Sequence, residues 1–165
     1  MARPKTKISP TALKKTGDIW YDTYDGINYI GSGTCCVYGL SDVELEELKS
    51  KIKTAKHSDG YGKKVCEFAD MVMKSKKEVD NTLIQYGTSG MELYHLFKCD
   101  GKVVALNDIV YNAINDLTIE AVFGASPLQP LIFDLRDKFV LCMPCRLDGT
   151  YNKTLKNLID MIEGM

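Results

Sequence analysis

The chain has 165 residues, of which 45% are hydrophobic and 26% charged, with a formal net charge of −1. This is the balance of one globular domain with its own core; it excludes a disordered polar chain, and no apolar run nears the roughly 18 residues that a membrane helix needs. Without an apolar secretory segment at its start the expected location is cytoplasmic, and the six cysteines are expected as reduced thiols.

Residues 1–17 carry Arg3, Lys5, Lys7, Lys14 and Lys15 with no acid before Asp18. Interrupted by Pro4 and Pro10, the stretch reads as a flexible basic arm. Eighteen of the 21 basic residues are Lys, which suits point-charge contact with phosphate and not bidentate reading of bases, so any nucleic-acid contact would be non-specific. Residues 18–39 mix aromatics, β-branched residues and glycines around Asp25-Gly26, which predicts two short strands and a tight turn. The "GSG" at 31–33 lacks the third glycine and the βαβ context of a dinucleotide site and reads as a turn or bulge.

Ser41, with Glu44 three residues on, predicts a capped helix over 41–55 that buries Leu45, Leu48, Ile52 and Ala55. On another face of that helix Lys49, Lys53 and Lys56 form a stripe, either a solvated surface or a helix lying over DNA phosphates. A polar loop over 57–64 leads to alternating segments that read as strands, 65–75 and 82–106, with turns at Gly87–Gly90 and Asp100-Gly101. Residues 107–117 read as a short helix capped by Asn107, with Val110, Ile114 and Leu117 inward. Strands follow at 118–124 and within 130–147, the last two joined at "LRDK". A final amphipathic helix places Leu155, Leu158, Ile159 and Ile162 on one face. The order predicts an α+β domain over 18–147, an antiparallel sheet with two packed helices, and a C-terminal helix within 148–165.

No catalytic pattern emerges. His57 falls in the polar loop and His95 in a strand, neither with an acid and a nucleophile at a recognisable spacing, and His95 reads as a packing residue. Asp18, Asp22 and Asp25 gather in one aromatic-rich stretch, where a metal or general-acid role competes with the cheaper account of turn chemistry. No cofactor and no metal site is expected, and the class is non-enzymatic.

The Cys-x-x-Cys of "LCMPCRL" (141–147) admits three readings. A redox dithiol needs the start of a helix, where the dipole lowers the thiol pKa, and none is predicted there. Zinc needs a second pair at comparable spacing, which the adjacent Cys35 and Cys36 do not supply. An extended 139–145 holds Cys142 and Cys145 roughly 10 Å apart at about 3.3 Å per residue, too far for a disulfide without a bend. The sulfurs are therefore expected as filler in a strand.

Residues 102–147 also resemble the closing half of a bacterial β-type sliding-clamp domain. The resemblance is carried by "LN" at 106–107 opening a short helix, "IEAVF" at 119–123, "SPLQPLIFD" at 126–134 and, most of all, "MPCRL" at 143–147. It implies a DNA-clamp-like scaffold of DNA replication rather than an enzyme. It implies protein partners captured through linear peptides in a groove beside the last strand, bordered by Leu141, Met143, Pro144, Arg146 and Leu147 with Asn107 near the rim. Duplex DNA would face Lys49, Lys53 and Lys56, and a closed ring would require a homo-oligomer. Unlike a clamp, which ends on its last strand, this chain continues into a helix placed to cover that groove. The alternative is a small cytosolic interaction or inhibitor protein with an unrelated α+β fold and a contact surface over 19–30.

Overall fold

The computed structural model describes residues 4–88, 90–147 and 153–165. In chain order the elements are α1 (Pro10–Lys14), β1 (Trp20–Tyr24), β2 (Ile27–Gly31), β3 (Cys35–Leu40), α2 (Asp42–Lys51), β4 (Lys56–His57), α3 (Tyr61–Lys74) and β5 (Lys77–Gly87). There follow β6 (Leu93–Cys99), β7 (Lys102–Asn107), α4 (Asp108–Tyr111), β8 (Ala121–Gly124), β9 (Leu131–Asp134), β10 (Phe139–Cys142) and α5 (Lys153–Glu163). The strands form one ten-stranded sheet in the order β4-β1-β2-β3-β10-β9-β8-β5-β6-β7. The expected α+β class holds, and the sheet is mixed only because the two-residue β4 runs parallel to β1. None of the described helices is long and apolar enough to cross a membrane.

Local chemistry sets the ends of many elements. Asp25 and Gly26, and again Asp100 and Gly101, adopt positive φ (52° and 76°, 51° and 78°), the conformation that two-residue hairpin turns require. Ser41 accepts the Glu44 N–H at 3.1 Å while the Glu44 carboxylate accepts the Ser41 N–H at 3.1 Å, closing the expected capping box on α2. Asn107 caps α4 as expected, and Val110, Ile114 and Leu117 are buried beneath it.

The sheet curls. β7 is its far edge, yet the Cys145 N–H, just past β10, donates to the Ala105 carbonyl of β7 at 2.8 Å. The run from β10 through β9, β8, β5 and β6 to β7 thus closes on itself, with β3, β2, β1 and β4 extending from it. Its inner face carries Val37, Phe97, Val104, Leu131, Phe133 and Val140, completed by Leu45, Leu48 and Ile52 of α2 and by the α4 region. Because side chains alternate along a strand, the intervening residues point outward. There α3 lays Val65, Ala69 and Val72 on Tyr29, Cys36, Ile132 and Leu141. Further round, α5 sets Leu158 and Ile162 against Tyr94, Leu96 and Ala105.

Three expectations are corrected. The strand expected over 65–75 is most of α3: Val65, Phe68, Ala69 and Val72 recur at helical spacing, and a partial alternation imitates a strand over the same residues. The helix expected over 41–55 ends at Lys51, with Ile52 as its C-cap. Residues 5–17, expected as a flexible arm, are packed. The Thr118 N–H donates to the Lys5 carbonyl and the Lys5 N–H to the Thr118 hydroxyl, each at 2.8 Å, and Ile8 and Leu13, the latter 0% exposed, enter the inner core while Lys14 and Lys15 stay in solvent. The two apolar anchors decide the matter against the charge of the segment. Arg3 lies outside the described residues, as do Asp148–Asn152 at the start of the C-terminal segment.

A candidate binding pocket beside the last strand

Of the stretch expected to be extended, residues 139–142 are strand and Cys145 forms an isolated bridge to Ala105, and all six cysteines are free thiols. The ladder with β3 continues to the Met143 N–H, which donates to the Thr34 carbonyl at 2.8 Å. Pro144 has no N–H to continue it, and the chain crosses to β7 at Cys145. Along this stretch Phe139, Leu141 and Met143 face outward, toward α3.

Leu141 and Met143 border a pocket of about 270 Å³ walled by Trp20, Tyr61, Val65 and Phe68, with Lys64 at its rim. Trp20 enters from the start of β1, its ring centroid 5.9 Å from that of Tyr61 at 51°. Tyr61, in the first turn of α3, donates its hydroxyl to the Ser32 carbonyl at 2.9 Å and so fastens the helix to the β2–β3 turn. That closeness requires glycine at position 31, where a Cβ would stand 2.2 Å from the Cys35 carbonyl and 2.9 Å from the Tyr61 hydroxyl.

The walls of the pocket stay uncharged. Burial pushes the Cys36 thiol up to about 12 and holds the Tyr61 hydroxyl above the usual tyrosine range. A preformed, neutral, largely aromatic pocket with one ammonium at its mouth suits an incoming apolar side chain; burying a Leu or Phe is worth about 2 kcal/mol.

The other residues expected to share this groove do not reach it. Arg146 and Leu147 line a second cavity of about 180 Å³ with Val103, Ala105, Leu128 and Ile159, on the α5 side. Pro144 is half-buried where the chain crosses, and the Asn107 side chain is engaged as the α4 cap, accepting the Ile109 N–H at 2.8 Å. The expected groove is therefore two cavities, and α5 lies against the second of them. Trp20, Tyr61 and Phe68 were not legible as pocket residues, because Tyr61 and Phe68 acquire their common side only once α3 is a helix.

The expected lysine stripe is not assembled either. Lys49 sits on α2 with its Nζ 3.0 Å from Glu46 Oε1 and 4.3 Å from the Tyr21 ring centroid, whereas Lys53 lies beyond the helix and Lys56 in β4. Lys49 instead lines a cleft of about 380 Å³ that also gathers Asp22, Asp42, Glu46, His57 and Asp59. Such a concavity disfavours phosphate.

Among the described residues one group has the spacing of metal ligands: Asp22, His57 and Asp59 offer atoms all within 4.8 Å of one another. His57 Nε2 is 3.3 Å from Asp22 Oδ1 and 3.6 Å from Asp59 Oδ1. Asp22 has a structural task already, since its two oxygens accept the Thr23 and Gly62 N–H groups, each at 2.9 Å. Gly60 at the start of α3 offers no side-chain cap, so β1 supplies one through Asp22. His95 is a packing residue, as expected: buried, stacked on Tyr111 with centroids 3.7 Å apart, and with Nε2 2.7 Å from Asp108 Oδ1.

No family model, no curated protein and no solved structure matches the chain.

Proposed function

We propose that this protein is a non-enzymatic binding domain that captures a partner protein through a short linear peptide, one apolar side chain of which enters the pocket between α3 and the end of β10. The observation that carries the reading is the meeting of Leu141 and Met143 with three half-buried aromatic side chains, Trp20, Tyr61 and Phe68, around one neutral concavity. Aromatic walls of this kind supply contact area at low entropic cost, and extended peptides dock where they can place alternate side chains in pockets.

The resemblance to clamp domains supports the same class of activity. That resemblance, a short helix opened by Asn107, a following strand and a last strand ending in "MPCRL", directs the search for partners to proteins of DNA replication and repair. Non-specific DNA contact is the weaker part of the reading, because Lys49 stands among carboxylates and is separated from Lys53 and Lys56 by the end of α2.

Trp20 is the single tryptophan of the chain and stands in the pocket wall, so its emission reports occupancy directly. Titration with short Leu- and Phe-bearing peptides is expected to give a saturable emission change, weakened roughly tenfold or more by Met143→Ala and unaffected by Leu147→Ala. Absence of a saturable change with every peptide, or binding indifferent to Met143→Ala, rejects the pocket. Affinity for a DNA duplex that falls steeply between low and moderate salt would instead favour the DNA-contacting variant of the reading.

A further inference from the structure

Cys35, at the start of β3, and Cys142, at the end of β10, are direct partners in the antiparallel ladder between these strands. The phase of the ladder is set by the Met143 N–H on the Thr34 carbonyl, which makes 143 and 34 a hydrogen-bonded pair. Hydrogen-bonded and non-hydrogen-bonded pairs alternate, so 142 and 35 form a non-hydrogen-bonded pair, the kind with Cα atoms about 4.5 Å apart and side chains closest. That falls within the Cα separation a disulfide spans, about 4.4–6.8 Å. Both side chains point into the same inner core, at 1% and 0% exposure. Neither neighbouring cysteine competes: Cys36 faces outward beneath α3, and Cys145 is bridged to β7.

We propose that Cys35 and Cys142 are a disulfide-forming pair, a covalent modification site that locks β3 to β10 at the junction between the closed part of the sheet and its extension. The co-reactant is a low-molecular-weight disulfide such as oxidised glutathione. One cysteine attacks a glutathione sulfur as thiolate, forming a mixed disulfide and expelling one glutathione thiolate; the second cysteine then displaces the other. Two protein thiols and one glutathione disulfide become one protein disulfide and two glutathiones, the two thiol protons passing to the leaving thiolates. In the folded protein burial keeps the Cys142 thiol well above its usual pKa and hides both sulfurs. Exchange therefore waits on opening of the β3–β10 pair, while during folding it is fast. The proposal is independent of the peptide-binding reading.

The test uses the full chain in two arms: reduced protein refolded from denaturant in equimolar reduced and oxidised glutathione, and native protein held in the same buffer. The protein is then unfolded in denaturant at low pH, its free thiols are blocked with a maleimide, and it is digested and mapped. Four of the six cysteines are expected to take the maleimide, with a cross-link joining the fragments that carry Cys35 and Cys142, formed quickly in the first arm and slowly in the second. The melting temperature of the cross-linked form should rise by about 10 °C, and dithiothreitol should reverse the rise. Cys36→Ala and Cys145→Ala should keep the cross-link, whereas Cys35→Ala and Cys142→Ala should lose it. Should an alanine variant fail to fold, fragmentation of the wild-type cross-link distinguishes Cys35 from Cys36 and Cys142 from Cys145. Six reactive thiols in both arms, or a cross-link through any other pair, overturns the proposal.

Discussion

The two ends of the sheet are held by different forces. At the end built from β1, β2 and β3, buried polar groups tie distant segments together. Lys138, 2% exposed, sets its Nζ 2.8 Å from Glu44 Oε2 and 3.0 Å from Asp137 Oδ2 and donates to the Thr6 carbonyl at 3.2 Å, joining α2, the β9–β10 turn and the N-terminal segment. Asn28 donates to the Leu40 carbonyl at 3.0 Å and to Asp42 Oδ1 at 2.9 Å, and Asp22 caps α3. At the end built from β5, β6 and β7, α5 rests Leu158 and Ile162 on an apolar surface, and two hydrogen bonds near its C-terminus fasten it, the Val103 N–H donating to the Glu163 carboxylate at 3.0 Å and Lys98 Nζ to the Met165 carbonyl at 2.7 Å; the Glu163–Lys102 ion pair at 4.0 Å counts for little. Directional bonds impose one geometry, whereas apolar contact supplies stability and leaves orientation looser. The pocket of the proposed function lies at the end where geometry is imposed.

Truncations at the two ends should separate these contributions. Ile162→Ala should cost the most, about 3 kcal/mol in urea unfolding, because it empties a fully buried side chain; the loss should be the same at every pH. Lys138→Ala should cost less, about 2 kcal/mol, since the carboxylates it abandons are partly solvated, but its loss should depend on pH. Burial alone would raise the Glu44 carboxyl, yet contacts with Lys138 and Ser41 outweigh it and hold the group below the usual carboxylate range. A depressed carboxylate contributes stability above its unfolded pKa of about 4.3 and loses it as pH falls through the folded value. Wild type should therefore lose this increment on acidification below about pH 4, and Lys138→Ala should show a flatter acid limb; parallel limbs would remove the pair from the account. Asp22→Ala should have the smallest effect, about 1 kcal/mol, the worth of a helix cap. Unlike Ile162→Ala, it should also disturb Trp20 emission, because α3 carries Tyr61 into the pocket.

How much was legible follows from how far each signal reaches. Ser41 with Glu44, Asn107, and the Asp-Gly turns act on backbone within three residues, so a short window contains cause and effect. The α3 helix was not legible on these terms: its cap, Asp22, lies forty residues before Gly62, and its apolar spacing over 65–72 also satisfies a partial alternation. Leu141 and Met143 could be singled out from the "LCMPCRL" stretch, but their partners Trp20, Tyr61 and Phe68 come from elements that meet only in three dimensions.

By itself the sequence determined the α+β class, the hairpin turns, the caps of α2 and α4, and the strand over residues 139–142, because each is a choice of backbone dihedral and nearest hydrogen bond made locally. The tertiary structure decided the rest: that the sheet curls until Cys145 meets Ala105, that one expected groove becomes two cavities, and that a basic N-terminal segment is held down by Ile8 and Leu13. Those outcomes depend on the accumulated twist of ten strands and on surfaces brought together from opposite ends of the chain, which no short stretch of residues encodes.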